Sequence, residues 1–89
     1  MKVFKLKKIK NFSYKEALLG IVRNAPARGF TVDEVRKSVK AIEVMESSKS
    51  DVSFEDDVWN HIKNLVKESR FVIAGKELVE FLDDIEKVQ

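Results

Sequence analysis

Helix-start signatures at three places constrain the fold of this chain more than any other feature. In each, a Ser or Thr stands three residues before a Glu or Asp, at Ser13, Thr31 and Ser53. The hydroxyl can then accept a hydrogen bond from the backbone N–H of the acidic residue, and the acidic side chain can accept one from the backbone N–H of the Ser or Thr. Apolar residues at three- and four-residue spacing follow each signature. The sequence therefore predicts three helices that begin at these points.

Each predicted helix carries an apolar stripe, and we expect these stripes to face the core. The stripe of the first helix is Tyr14, Leu18, Ile21 and Val22, and that of the second is Val32, Val35, Val39 and Ile42, extended by Met45. That of the third is Phe54, Val58, Trp59, Ile62, Leu65 and Val66. The residue before a proline avoids the helical region, so the first helix is expected to end near Pro26.

Two short strands and a fourth helix complete the prediction. Residues 2–9 alternate loosely between apolar and lysine positions, and residues 70–73 are short and β-branched, so we expect these two strands to pair. Beyond Gly75 the apolar residues of the fourth helix recur at helical spacing, at Leu78, Phe81, Leu82, Ile85 and Val88. Leu82 is expected to be buried against Trp59 or Ile62. A β-hairpin over residues 70–81 is the alternative, but it would separate apolar positions that share a helical face.

Length and composition indicate one small domain over residues 1–89. The predicted class is α+β, mainly helical, with four helices and two short paired strands around one core. The chain contains no cysteine, which excludes a disulfide scaffold and a thiolate metal site and fits a reducing cytoplasm. No apolar run approaches the length of a membrane span or of a signal peptide, so we expect a cytoplasmic protein without a membrane partner.

The two parts of the chain carry opposite charge. Residues 1–40 contain eleven Lys or Arg against three acidic residues, whereas residues 41–89 contain six basic and twelve acidic residues. A surface of one sign steers partners of the opposite sign toward it. The candidate binding surface comprises Lys5, Lys7, Lys8, Arg36, Lys37 and Lys40.

Catalytic and metal-binding patterns were sought among the remaining polar residues. His61 is the only histidine, and with Leu65 four residues on and no cysteine it lacks a second ligand or a thiol partner, so we expect a structural or surface role. Two acidic clusters, 55–57 and 83–84, fit a helix start and a polar helix face. A pocket of several hundred Å3 is hard to spare in a core this small. We therefore expect no enzyme activity, no cofactor and no metal.

The order of elements resembles a winged helix-turn-helix module over roughly residues 13–75. The resemblance is carried by a helix, the Gly29–Val35 start of a second helix, a third helix and a strand. In that family the start of the third helix enters the major groove. Here that start is Glu55-Asp56-Asp57, which phosphates would repel. The resemblance implies a tri-helical core, either without DNA binding or with binding through the first strand and second helix.

A second similarity runs from Asp57-Val58-Trp59 to Phe81–Ile85 and is to small phage-encoded proteins without assigned function. It implies a viral or prophage origin and an accessory interaction role. The hypothesis drawn from the sequence is a non-enzymatic module that binds a protein, or a second copy of itself, through oppositely charged surfaces. Nucleic-acid binding through the basic part of the chain is the alternative, and we expect no small-molecule substrate.

Overall fold

The computed structural model describes residues 1–71 and 74–88, which form four helices and four short strands. In chain order these are β1 (Lys2–Lys5), β2 (Lys8–Ile9), β3 (Phe12–Ser13), α1 (Tyr14–Arg23), α2 (Val32–Glu46), β4 (Asp51–Phe54), α3 (Asp56–Glu68) and α4 (Lys76–Lys87). The predicted α+β, mainly helical class with four helices is confirmed. None of the described helices combines the length and the apolar composition that crossing a membrane requires.

The first strand pairs with a segment whose sequence predicts the start of a helix. β1 runs antiparallel to β4, with Phe4 opposite Val52 and Val3 opposite Ser53. β2 and β3 form a separate hairpin. The pairing of β1 was predicted with residues 70–73: Arg70 and Phe71 are not in a strand, and residues 72 and 73 lie outside the described part of the chain.

The three capping predictions have different outcomes. Ser13 Oγ accepts from the Glu16 N–H at 3.3 Å at the start of α1. Thr31 forms the complete predicted box with Glu34, with both reciprocal hydrogen bonds present. The third prediction is wrong, because α3 begins at Asp56 and Ser53 lies in β4. Pairing with β1 orders residues 51–54 as a strand, and this long-range contact overrides the local helix signal.

Helix α2 turns a different face to the core from the one that its valines predicted. Its buried residues are Ser38, Ala41 and Met45, with Ile42 partly buried beside them. The predicted stripe residues Val32, Val35 and Val39 are exposed. Both sets have helical spacing, so the spacing alone did not identify the buried one. The second half of the predicted stripe, Ile42 and Met45, does reach the core.

Aromatic side chains form the centre of the core and hold α4 in place. The Phe81 ring lies 5.0 Å from that of Tyr14 and 6.2 Å from that of Phe4, measured between centroids. The predicted fourth helix is thus confirmed, and the hairpin alternative is wrong. Leu82 is only partly buried, and its neighbour Phe81 takes the fully buried position.

The order of the elements departs in one respect from a winged helix-turn-helix. β4 lies between α2 and α3, whereas the resemblance placed its strand after the third helix. The segment where that strand was expected, residues 70–73, lies partly outside the described residues. The resemblance itself stays a prediction.

Candidate functional site

The outward side of α2 carries a row of exposed apolar side chains. Val32, Val35 and Val39 follow one another at three- and four-residue spacing, which places them on one face of the helix. Their exposed fractions are 71%, 46% and 45%. Arg36 and Lys40 are also exposed and lie along one side of this row. We call these five residues the valine face.

The start of α2 is fixed to α3 by one arginine. The Arg28 guanidinium donates to the Glu34 carboxylate at 2.6 and 2.8 Å and to the Glu68 carboxylate at 3.0 Å. Glu34 also accepts from the Thr31 N–H at 2.9 Å. Hydrogen bonds from Arg28, and then from the Thr31 backbone, hold the pKa of Glu34 well below its usual range. The valine face therefore lies on a helix whose first turn is held in place by the hydrogen bonds of Arg28 and Thr31.

The inner side of α2, next to the valine row, meets α3 through a buried polar pair. Ser38 Oγ and His61 Nε2 share a hydrogen bond of 2.8 Å, and the two residues are only 4% and 5% exposed. Burial lowers the pKa of His61, so the neutral imidazole is the favoured form. Sequence reasoning missed Ser38 as a partner; its position on the Ala41–Met45 side of the helix was the available signal.

The Ser38–His61 pair has the composition of a nucleophile and its general base, but its surroundings favour a structural role. A nucleophile must reach its substrate, and both side chains are enclosed between α2 and α3. The Phe30 ring lies 6.1 Å from the imidazole, measured between centroids. Each member supplies the hydrogen bond that the other needs when buried. The geometry supports the structural role predicted for His61.

The six predicted binding residues fall into two groups on separate elements. Lys5 lies on β1, Lys7 follows it and Lys8 lies on β2, while Arg36, Lys37 and Lys40 lie on α2. Two of the six are engaged within the fold: Lys7 Nζ lies 3.2 Å from Asp84, and Lys37 Nζ lies 3.1 Å from Asp33. For the other four, no salt-bridge partner lies among the described residues.

The oppositely charged parts of the sequence pair with each other in the fold. Among the described residues, four side-chain ion pairs join the first forty positions to the rest of the chain: Lys7–Asp84, Lys10–Glu77, Arg23–Glu46 and Arg28–Glu68. Asp84 also accepts from the buried Tyr14 hydroxyl at 2.7 Å. This hydrogen bond, together with Lys7, lowers the pKa of Asp84. Burial, and in second place Asp84, raises the pKa of Tyr14. Part of the charge asymmetry is thus satisfied internally.

The acidic clusters occupy positions that suit structural roles. Asp56 and Asp57 lie in the first turn of α3, where the free N–H groups and the helix dipole favour negative charge. Asp57 Oδ1 accepts from the Val58 N–H at 2.9 Å. Within residues 1–71 and 74–88, no group of three or more His, Asp or Glu side chains is arranged to hold a metal ion.

An open groove of about 1090 Å3 lies between α1, the loop after it, the end of α3 and the start of α4. Its apolar lining includes Ile21, Leu65, Leu78 and Phe81. The groove is open to the surface, so the expectation that so small a core cannot spare an enclosed pocket stays a prediction. Two charged side chains at its edge, Arg28 and Glu68, are already bonded to each other. Residues 72 and 73, between lining positions 71 and 75, lie outside the described part.

Comparisons of the chain with protein-family models, with curated proteins and with solved structures find no match.

Proposed function

We propose that this chain is a non-enzymatic protein-binding module that docks its partner on the valine face. The observation that carries the proposal is the exposure of Val32, Val35 and Val39, at 71%, 46% and 45%, along one side of an anchored helix. Contiguous apolar surface bordered by charged residues is characteristic of interaction sites on soluble proteins. The absence of cysteine from the sequence suits a reducing compartment, and we place the module in the cytoplasm.

Local stability does not account for these three valines. A β-branched residue loses rotamer freedom in a helix, and valine is about 0.5 kcal/mol less favourable there than alanine. Val35 and Val39 are only about half-buried and Val32 less so, and the inner side of the same helix is formed by Ser38, Ala41 and Met45. An exposed row of such residues therefore costs helix stability without filling the core, which supports a role in contacting another molecule.

The anchoring of α2 also favours recognition. Arg28 binds both Glu34 and Glu68, and the Thr31 box satisfies free backbone donors at the helix start. A face whose backbone is already ordered loses less conformational entropy on association. The valine face can thus bind a partner without first having to fold.

Nucleic-acid binding is the second candidate, and the basic residues without a described salt-bridge partner favour it. Lys5, Lys8, Arg36 and Lys40 are all exposed and could contact phosphates. Phosphate contact, however, makes no use of the three valines. Glu43, exposed one turn beyond Lys40 on α2, would oppose a phosphate backbone. Protein binding uses both the apolar and the charged side chains, so we favour it.

A photo-crosslinking residue in place of Val35, introduced in cells of the native host, tests this function. We expect covalent adducts that resist nuclease and disappear on protease treatment. An adduct of twice the chain's own mass would indicate self-association. The same residue in place of Lys49, which is exposed in the loop after α2, is the matched control. Nuclease-sensitive adducts would support the nucleic-acid alternative, and yields equal to the Lys49 control would contradict docking on this face.

A further inference from the structure

Resting on the proposed function, we infer that the partner of the valine face is an acidic amphipathic helix of another protein. This segment presents an apolar row that packs on Val32, Val35 and Val39 and carboxylates that face Arg36 and Lys40. The inference depends on the charge beside the valines and on the consequences of placing a second copy there.

The charge beside the valine row is positive over its central turn. Arg36 and Lys40 are four residues apart, so they project from the same side of α2 about 6 Å apart along its axis. Neither has a salt-bridge partner within residues 1–71 and 74–88. The nearby acids Asp33 and Glu34 are engaged by Lys37 and Arg28 respectively. These two carboxylates therefore leave the charge of Arg36 and Lys40 available to a partner.

A second copy that docks antiparallel through its own valine row is a poor occupant of this face. Two α2 helices that meet antiparallel through their valines are related by a twofold axis perpendicular to both helices. That axis maps each flank of the row onto the same flank of the other copy. With Val35 at the centre, Arg36 then lies beside its own symmetry mate. Like charges in contact oppose association, so the basic flank selects an acidic partner instead.

A helix is the segment that best matches the spacing of the valine face. The row from Val32 to Val39 extends about 10 Å along the axis of α2. Side chains at i, i+3 or i+4, and i+7 of a partner helix form a ridge that packs against such a row. Carboxylates four residues apart, beside that ridge, would meet both cations. Three valines provide a small apolar contact, so we expect a weak, transient complex.

Glu43 supplies an opposite-signed test position on the same helix. It is exposed one turn beyond Val39, and like Arg36 and Lys40 it has no salt-bridge partner among the described residues. Its carboxylate should repel the acidic groups of a partner that extends past Lys40. Reversal of its charge should therefore strengthen binding, whereas reversal of Arg36 and Lys40 should weaken it.

The test uses two synthetic helical peptides with the same leucine row, one flanked by glutamates and the other by lysines. Binding to the whole chain is followed by amide shifts in two-dimensional NMR. We expect the glutamate peptide to shift residues of α2 and to bind about tenfold more tightly than the lysine peptide. Equal affinities, a preference for the lysine peptide, or shifts that leave α2 unchanged would overturn the inference.

Three variants assign the effect to the face. The double variant Arg36→Glu with Lys40→Glu should lower affinity for the glutamate peptide about tenfold and raise affinity for the lysine peptide. Glu43→Lys should raise affinity for the glutamate peptide. Lys49→Glu, with one charge reversed at an exposed position outside the face, should change neither appreciably. Unchanged peptide preference in the double variant would overturn the inference. If Val35 crosslinks to a protein but the two peptides bind equally well, protein docking on this face is supported and the acidic helix is ruled out as its partner.

Discussion

Helices α2 and α4 both carry rows of apolar residues, yet the fold uses the rows in opposite ways. On α4 the predicted row faces inward, with Phe81 and Ile85 fully buried. On α2 the row of Val32, Val35 and Val39 faces outward, and a serine, an alanine and a methionine form the inner face. α4 therefore contributes mainly to stability, whereas α2 contributes through one face and leaves a second free for contact.

The difference shows what helical spacing can and cannot establish. Spacing grouped the inward residues of α4, but on α2 it joined three exposed valines to Ile42 and Met45, which reach the core. It does not identify which face the rest of the protein covers when a helix has two apolar faces. On α2 the smaller residues Ser38 and Ala41 face inward, and α1, α3 and β4 pack against this helix. An apolar row that remains outside then becomes informative about binding.

The largest expected effect concerns the inner row of α4. Phe81→Ala removes a ring that contacts Phe4, Phe12 and Tyr14, and should lower the free energy of unfolding by about 3–5 kcal/mol. Urea denaturation measures this loss. Val79→Ala, at an exposed position on the same helix, should stay within about 0.5 kcal/mol. Similar midpoints for the two variants would mean that α4 does not dock through Phe81.

The inner face of α2 should show the next largest effect. Ser38→Ala leaves His61 Nε2 buried without its hydrogen-bond partner, which should cost about 1–3 kcal/mol. The same urea experiment provides the measurement. Ser47→Ala, which removes an exposed serine at the end of the same helix, is the matched control and should cost less. Equal effects at the two positions would indicate that the buried pair does not join α2 to α3.

The cap of α2 should contribute a smaller amount. Thr31→Ala removes the hydroxyl that accepts from the Glu34 N–H, and should destabilise the fold by about 0.5–2 kcal/mol. Thr31→Ser retains an acceptor and should recover most of the loss in thermal unfolding. If alanine and serine at this position gave the same melting temperature, the capping box would not be what anchors α2.

The buried histidine predicts how stability depends on pH. Because burial lowers the pKa of His61 in the folded state, the fold prefers the neutral ring. The stabilisation from the neutral ring is complete above the pKa of His61 in the unfolded chain, about 6.5. It is lost as the pH falls from that value toward the lower pKa of the folded state. His61→Gln should flatten the stability profile between about pH 7 and pH 5. An unchanged slope in the variant would show that other groups control the pH dependence.

Sequence reasoning succeeded where the determining contacts are local. The Thr31–Glu34 box involves residues three apart, and the end of α1 follows from Pro26, so both were predictable. The β1–β4 pairing joins segments about fifty residues apart, and it converts the apparent cap at Ser53 into a strand. Local propensity could not reveal that partner.

The candidate site divides in the same way. Exposed basic residues at Arg36 and Lys40 were anticipated because charge on a helix is visible in the sequence. The pairing of Lys7 with Asp84 depends on the docking of α4, and it was not anticipated. The valines were expected in the core, because the spacing of Ser38 with Ala41 and Met45 is only a weak signal that α2 packs through that side instead. Their exposure became apparent only once the helices were placed against one another.

We propose that the valines of α2 serve binding rather than folding, and a triple variant separates the two roles. Val32, Val35 and Val39 are replaced together by alanine, which has the higher helix propensity. Urea unfolding and binding of the glutamate-flanked peptide are measured on the same preparation. We expect the free energy of unfolding to stay within about 0.5 kcal/mol of that of the unmodified chain, and the peptide affinity to fall at least tenfold. A fold weakened by about 2 kcal/mol or more, as for core truncations, with peptide affinity retained, would contradict it.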